Sequence, residues 1–253
     1  MAFHNLIMEI LMSASAKILN KKYINVKVKP KKVPFIPRFF TRGFQTACRI
    51  NKAASKLLDK ESMYKLNSIE GHLGTKESLT LFYFTFYIPC KGRIVEIGSF
   101  KGKSTAWMAT ALKLRKSQDK IVSIDPHINT HEPQVVPEYY EKTSYESFVL
   151  NLSQLQLFDY VQPIQDSSKN AADRWNDKIS VLFIDGSHRY QDVLDDLNSW
   201  EKWVNKHGII IMHDTDPEGN HREVVKAVVE YRKKNKHLKK IFELKNMTVF
   251  EKT

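Results

Sequence analysis

The chain has 253 residues, 42% of them hydrophobic and 11% aromatic, which are ordinary values for one globular α/β domain with an extension. Two distant cysteines, Cys48 and Cys90, form no C-x-x-C, so they indicate neither a disulfide framework nor a cysteine-built zinc site and fit a reducing, cytoplasmic compartment. The net charge of +12 is unevenly placed: residues 1–60 hold 13 Lys and Arg against Glu9 and Asp59, and the rest of the chain is nearly neutral.

Residues 1–19 read as an amphipathic helix, with Phe3, Leu6, Ile7, Ile10, Leu11 and Ala14 at helical spacing. Basic residues follow the apolar run and Glu9 interrupts it, so it is not a secretory leader. The lysines from Lys21 to Lys32 suit an anionic membrane surface or another polyanion, which would make the protein peripheral at a membrane. The competing reading packs this helix on the domain or on a second copy in a homodimer. Residues 23–40, with Pro30, Pro34 and Pro37, read as an extended linker, and 41–62 as helical. Residues 1–68 are thus expected to form a basic N-terminal extension with helices, and 69–253 the ligand-binding domain.

In that domain 69–73 is a loop and 75–87 a buried helix. Strands are expected over 93–97, 121–125, 161–165, 180–185 and 207–213. Helices over 104–114, 145–155, 171–175, 190–204 and 223–234 alternate with them. Segments 240–244 and 247–251 make a hairpin turned at Lys245-Asn246. Residues 127–144, with His127, His131, Pro133 and Pro137, lack periodicity and read as a lid. The alternation predicts a doubly wound, mostly parallel seven-stranded α/β sheet with a terminal antiparallel hairpin. Ligands bind such sheets at the carboxyl ends of the strands. Those ends carry Glu96, Asp125, Asp166, Asp185, His213 and Asp214.

The loop after the first strand, Ile94-Val-Glu-Ile-Gly-Ser-Phe-Lys-Gly-Lys-Ser-Thr105, has two readings. A phosphate loop needs four residues between its glycines, but only Ser99, Phe100 and Lys101 separate Gly98 from Gly102. Val181-Leu-Phe-Ile-Asp185 resembles a Walker-B strand and keeps a nucleotide-triphosphate reading open. A ligand with an ammonium and a ribose explains more. Glu96 faces the ammonium, where polyphosphate would be repelled, and Asp125 ends the second strand where ribose hydroxyls are held.

These residues resemble the class I S-adenosylmethionine (SAM)-dependent methyltransferases, whose Rossmann-like fold also ends in an antiparallel strand inserted in the sheet. Within that class they resemble the small bacterial O-methyltransferases, often acting on sugars or antibiotics, related to the macrocin and catechol enzymes. The resemblance spans about residues 69–251 and rests on Glu-Gly-His-Leu at 70–73, the Gly98–Gly102 loop, Ser-Ile-Asp-Pro-His at 123–127, Ile-Asp-Gly-Ser-His at 184–188 and Met-His-Asp at 212–214. It implies that Glu96, Gly98, Ser99 and Ser104 hold the methionine end of SAM, with Gly102 among the cofactor-binding residues of the same loop. Asp125 would hold the ribose, and Asp166 and Ser167 would lie near the adenine.

In catechol-type relatives the positions of Asp185, His213 and Asp214 bind Mg²⁺. Here His213 replaces an oxygen donor, which shifts preference toward Mn²⁺, Fe²⁺ or Zn²⁺. His188 stands where those relatives carry a catalytic lysine, and a neutral imidazole can accept a hydroxyl proton. The expected catalytic group is therefore His188 with Asp185 and Asp214. His72, His127, His131 and His221 receive no chemistry and are expected at the surface or rim.

The expected activity is methyl transfer from SAM to a hydroxyl of a small acceptor, a saccharide or a natural product. The alternatives are a P-loop-like nucleotide-binding protein and a non-catalytic SAM-fold protein tethered by its basic N-terminus. Nucleic acid is not an expected partner, because the domain is nearly neutral and lacks an N/D-P-P-[YF] motif.

Overall fold

The structure is a computed structural model that describes residues 44–128 and 144–253. The helix expected at 1–19, the linker at 23–40, and all but the ends of the lid at 127–144 lie outside these residues. The chain divides into two compact units, Met1–Val33 and Pro34–Thr253, and every described residue belongs to the second.

Three helices come first: α1 (Phe44–Ser55), α2 (Lys60–Asn67) and α3 (Thr75–Phe86). The single helix expected over 41–62 is two. Asp59 breaks it by adopting an extended backbone and accepting the Ser62 N–H at 2.7 Å, which caps α2. Ala47, Ile50 and Ala54 of α1 are buried in the same apolar cluster as α3 and the sheet. The described part of the expected extension therefore packs into the same apolar core as the sheet.

The sheet follows as β1 (Arg93–Ile97), α4 (Lys103–Leu114), β2 (Ile121–Ile124), α5 (Tyr145–Gln154), β3 (Val161–Ile164), α6 (Ser168–Asp173), β4 (Ile179–Ile184), α7 (Tyr190–Trp200), β5 (Val204–His213), α8 (Arg222–Lys234), β6 (Leu238–Leu244) and β7 (Met247–Lys252). Seven strands lie in the order β3-β2-β1-β4-β5-β7-β6. The first five run parallel, and β7 enters antiparallel between β5 and β6.

Two boundaries differ from the sequence expectation. The helix expected over 190–204 stops at Trp200 and becomes a 3₁₀ turn, because buried Trp200 and Glu201 anchor it and Val204 already pairs with Ile179. The helix expected over 171–175 starts three residues earlier. Ser167 caps it by accepting the Asn170 N–H at 3.2 Å.

Alternate strand residues feed two cores. Ile94, Val181, Phe183, Ile209 and Ile211 face the layer containing α1, α3 and α4. Val95, Ile97, Leu182, Ile184, Ile210 and Met212 face the layer containing α7 and α8. Glu96 and His213 fall on the first face by the same period. A carboxylate and an imidazole are thereby placed under the helical layer, where only specific partners can make them tolerable.

Candidate active site

Strand order reverses between β1 and its neighbours β2 and β4, the switch point where such sheets take their ligands. The loop Gly98–Gly102 leaves β1 there. Gly98 has φ +82°, and a Cβ on it would sit 2.1 Å from the Asp185 carbonyl oxygen, so only glycine fits against the end of β4. Phe100 and Gly102 also take left-handed conformations, at φ 47° and 87°.

Asp125 stabilises this strained backbone. Its Oδ2 accepts the Ser99 and Phe100 N–H groups, each at 2.8 Å, and its Oδ1 accepts the His127 N–H at 2.7 Å. The loop amides that would wrap a phosphate are directed at a carboxylate of the chain itself, which removes the basis of the triphosphate reading. Asp125 thus braces the loop at the place expected for ribose. Asn151 donates to the Lys101 carbonyl at 2.8 Å, and Lys103 donates to the Gly71 carbonyl at 3.1 Å, so Lys103 ties the 69–73 loop to α4.

Glu96 is fully buried beneath the loop. Oε2 accepts from Thr105 at 2.6 Å and Ser123 at 3.0 Å, while Oε1 has no hydrogen-bond partner among the described residues. Burial pushes its carboxyl up to about 7, against the pull of hydrogen bonds from Ser104, Thr105 and Ser123. The Ser99 hydroxyl, also buried, is likewise unpartnered among these residues. Asp166 lies further out and pairs with Arg174 at 2.6 Å, which with Asn170 and the Ser167 N–H holds its carboxyl below the usual range.

A second cluster gathers at the ends of β4 and β5. His213 Nδ1 faces Asp185 Oδ1 at 3.1 Å and Asp214 Oδ2 at 3.3 Å, and His188 Nε2 meets the same Asp214 oxygen at 2.9 Å. Asp214 has φ 56°, a left-handed conformation that aspartate tolerates. Asn246 in the β6–β7 turn donates to its Oδ1 at 3.2 Å. Burial opposes charge on His213, but Asp185, Asp214 and Glu77 together push it up to about 12. The hydrogen bond to Asp214 raises His188 above the ordinary histidine range.

The arrangement therefore brings together His188, Asp185, His213 and Asp214, and separately Glu96, Gly98, Ser99, Gly102, Ser104 and Asp125. Three residues went unassigned in the sequence. Glu77, at the start of α3, places Oε2 3.5 Å from His213 Nε2. His221 lies partly exposed at the rim, as expected, and stacks on His188 with ring centroids 3.8 Å apart. His127 is buried and bonds Ser144 through Nδ1 at 2.9 Å. Only Glu77 carried a readable signal, since Gly74-Thr-Lys-Glu77 has the spacing of a helix-capping box.

Asp185, His213 and Asp214 each offer one ligand atom, and these atoms all lie within 4.8 Å of one another. Two carboxylates and an imidazole converge here, with His213 and Asp214 buried and Asp185 partly exposed, and fit a divalent cation in the place otherwise held by the His213 proton. The mixed N/O donor set suits Mn²⁺, Fe²⁺ or Zn²⁺ better than Mg²⁺.

Residues 95–215 match the sequence model of a family described as a methyltransferase domain. An uncharacterized protein, R132, of Acanthamoeba polyphaga mimivirus is 32% identical over 121 residues, which are 47% of this chain and 50% of that one. The chain thus spans about half the length of the curated relative it matches. Among solved structures, the O-methyltransferase NovP superposes with TM-score 0.59 at 20% identity, over 73% of this chain and 83% of that one. TomG, an O-methyltransferase of Streptomyces achromogenes solved with SAM, gives 0.56 at 16%, over 81% and 96%. A Bacillus cereus O-methyltransferase solved with S-adenosylhomocysteine (SAH) gives 0.53 at 16%, over 81% and 97%. Residues 95–215 are thus similar in sequence to a methyltransferase-domain family, and the sheet as a whole has the Rossmann-like fold of the class I SAM-dependent methyltransferases.

Proposed function

We propose that the protein is a SAM-dependent O-methyltransferase acting on a hydroxyl of a small acceptor, a saccharide or a natural product. One observation supports this most: the strained Gly98–Gly102 loop and the His188–Asp214–His213–Asp185 cluster meet at neighbouring strand ends, where β1 lies beside β4. Cofactor and proton-transfer groups then lie at adjoining strand ends.

SAM carries its own electrophile, so the chain's task is to orient it and to activate the acceptor oxygen. Glu96 and the Ser99 and Ser104 hydroxyls bind the methionine end, and Asp125 keeps the loop in the shape that receives it. Asp166 and Ser167 lie on the adenine side. His188, oriented by Asp214, takes the acceptor's proton, and Asp214 stabilises the imidazolium that forms. Asp185, His213 and Asp214 would hold a divalent cation, which would supply Lewis acidity toward the acceptor hydroxyl.

Screening hydroxylated saccharides and polyketide-like compounds for SAH release, with a one-methyl mass gain on the acceptor, tests this reading. On an accepted compound, His188→Ala should lower turnover by about 10²–10⁴-fold while SAM affinity stays within about twofold. Unchanged turnover would remove His188 from the chemistry.

A further inference from the structure

The metal reading leaves one contact unexplained. His213 is almost wholly buried, and its Nε2 has no hydrogen-bond partner among the described residues. The group that faces Nε2 is the carboxylate of Glu77, 3.5 Å away and itself largely buried. Glu77 is held there by the Gly74 N–H, which donates to the same oxygen at 2.6 Å.

Consider the two neutral forms of His213. With the proton on Nδ1, the Nε2 lone pair points at the Glu77 carboxylate. With the proton on Nε2, the Nδ1 lone pair points at Asp185 and Asp214, 3.1 and 3.3 Å away. Each neutral form sets a lone pair against a buried anion, which is costly away from water. The site is relieved when Nε2–H points to Glu77 and positive charge sits against Nδ1, carried either by a second ring proton or by a metal ion in its place. A carboxylate that takes the far N–H of a ligating histidine fixes its tautomer and ring orientation and raises its basicity.

We propose that Glu77 is the positioning residue that turns the Nδ1 lone pair of His213 toward Asp185 and Asp214 and so builds a binding site for a divalent transition-metal cation. This rests on the metal reading above. Glu77 belongs to α3, outside residues 95–215, so the helical layer preceding the matched domain completes the site. It also accounts for the histidine at a position expected to carry an oxygen donor. His213 continues the strand face of Ile209 and Ile211, which brings it under α3, where an acid at the helix start can reach it.

The test is Mn²⁺ titration of the full chain, read by calorimetry and by the loss of the free-ion electron paramagnetic resonance signal. Glu77→Gln keeps an acceptor for the Gly74 N–H but removes the charge facing Nε2. It should weaken Mn²⁺ binding by about 10–100-fold while leaving SAH affinity within about twofold. Glu77→Ala should show the same loss, and nitrogen NMR of the His213 ring should show a changed tautomer in both variants. Mn²⁺ affinity within about twofold of wild type in both variants would overturn the role of Glu77 alone. Wild-type protein that binds neither Mn²⁺ nor Zn²⁺ would overturn the metal reading and this proposal together, without touching SAM binding.

Discussion

Gly98→Ala is expected to cost about 2–4 kcal/mol of stability and to abolish measurable SAM binding. Two effects combine. The residue sits at φ +82°, where a side chain is strained. Its Cβ would also lie 2.1 Å from the Asp185 carbonyl oxygen and 2.9 Å from the Gly186 Cα, both on rigid backbone that cannot give way cheaply. Relief requires β1 and β4 to part at their ends, and that separates the loop from the cluster. Gly186→Ala is the control. Its Cβ would meet neighbours at 3.5 and 3.6 Å, ordinary contact distances, and stability should stay within about 1 kcal/mol. Thermal melting with and without SAH distinguishes the two variants. Equal behaviour would mean that the loop is not set by this close approach.

Glu96 should make both stability and cofactor affinity depend on pH, with opposite signs. Its carboxyl is pushed up from 4.5 to about 7, so the folded chain holds the proton more tightly than the unfolded chain does. The stabilisation is complete below about 4.5 and is lost as pH rises through about 7, amounting to at most about 3 kcal/mol. The cofactor's ammonium favours the carboxylate form instead. SAM affinity should therefore rise by up to about tenfold per pH unit toward pH 7 and flatten above it. Glu96→Gln should remove both dependences and bind SAM more weakly throughout. Affinity flat between pH 5.5 and 7.5 in the wild-type protein would place the ammonium away from Glu96.

The alternation of apolar strands and helices predicts the parallel sheet and the closing hairpin, because strands buried on both faces read as apolar runs. Helix ends were less legible. The break at Asp59 and the 3₁₀ turn at Glu201 depend on a cap and on buried partners brought in from elsewhere, with Lys252 meeting Glu201 at 2.7 Å. In the site, residues at strand ends could be placed by counting along each strand. Glu77 and His221 could not, since they lie on helices whose contacts with β5 and with His188 exist only after folding. Asp125 was read as a ribose acceptor from its position alone. Its two bonds to the Ser99 and Phe100 amides show what position cannot: the same carboxylate holds the loop in shape.

The most direct test of the central claim is calorimetric titration of the wild-type chain with SAM, SAH and ATP–Mg²⁺ in parallel. A loop whose amides are committed to Asp125, above a buried Glu96, predicts one-site binding of SAM and SAH and no heat from ATP. Binding of ATP without binding of SAM or SAH would contradict it.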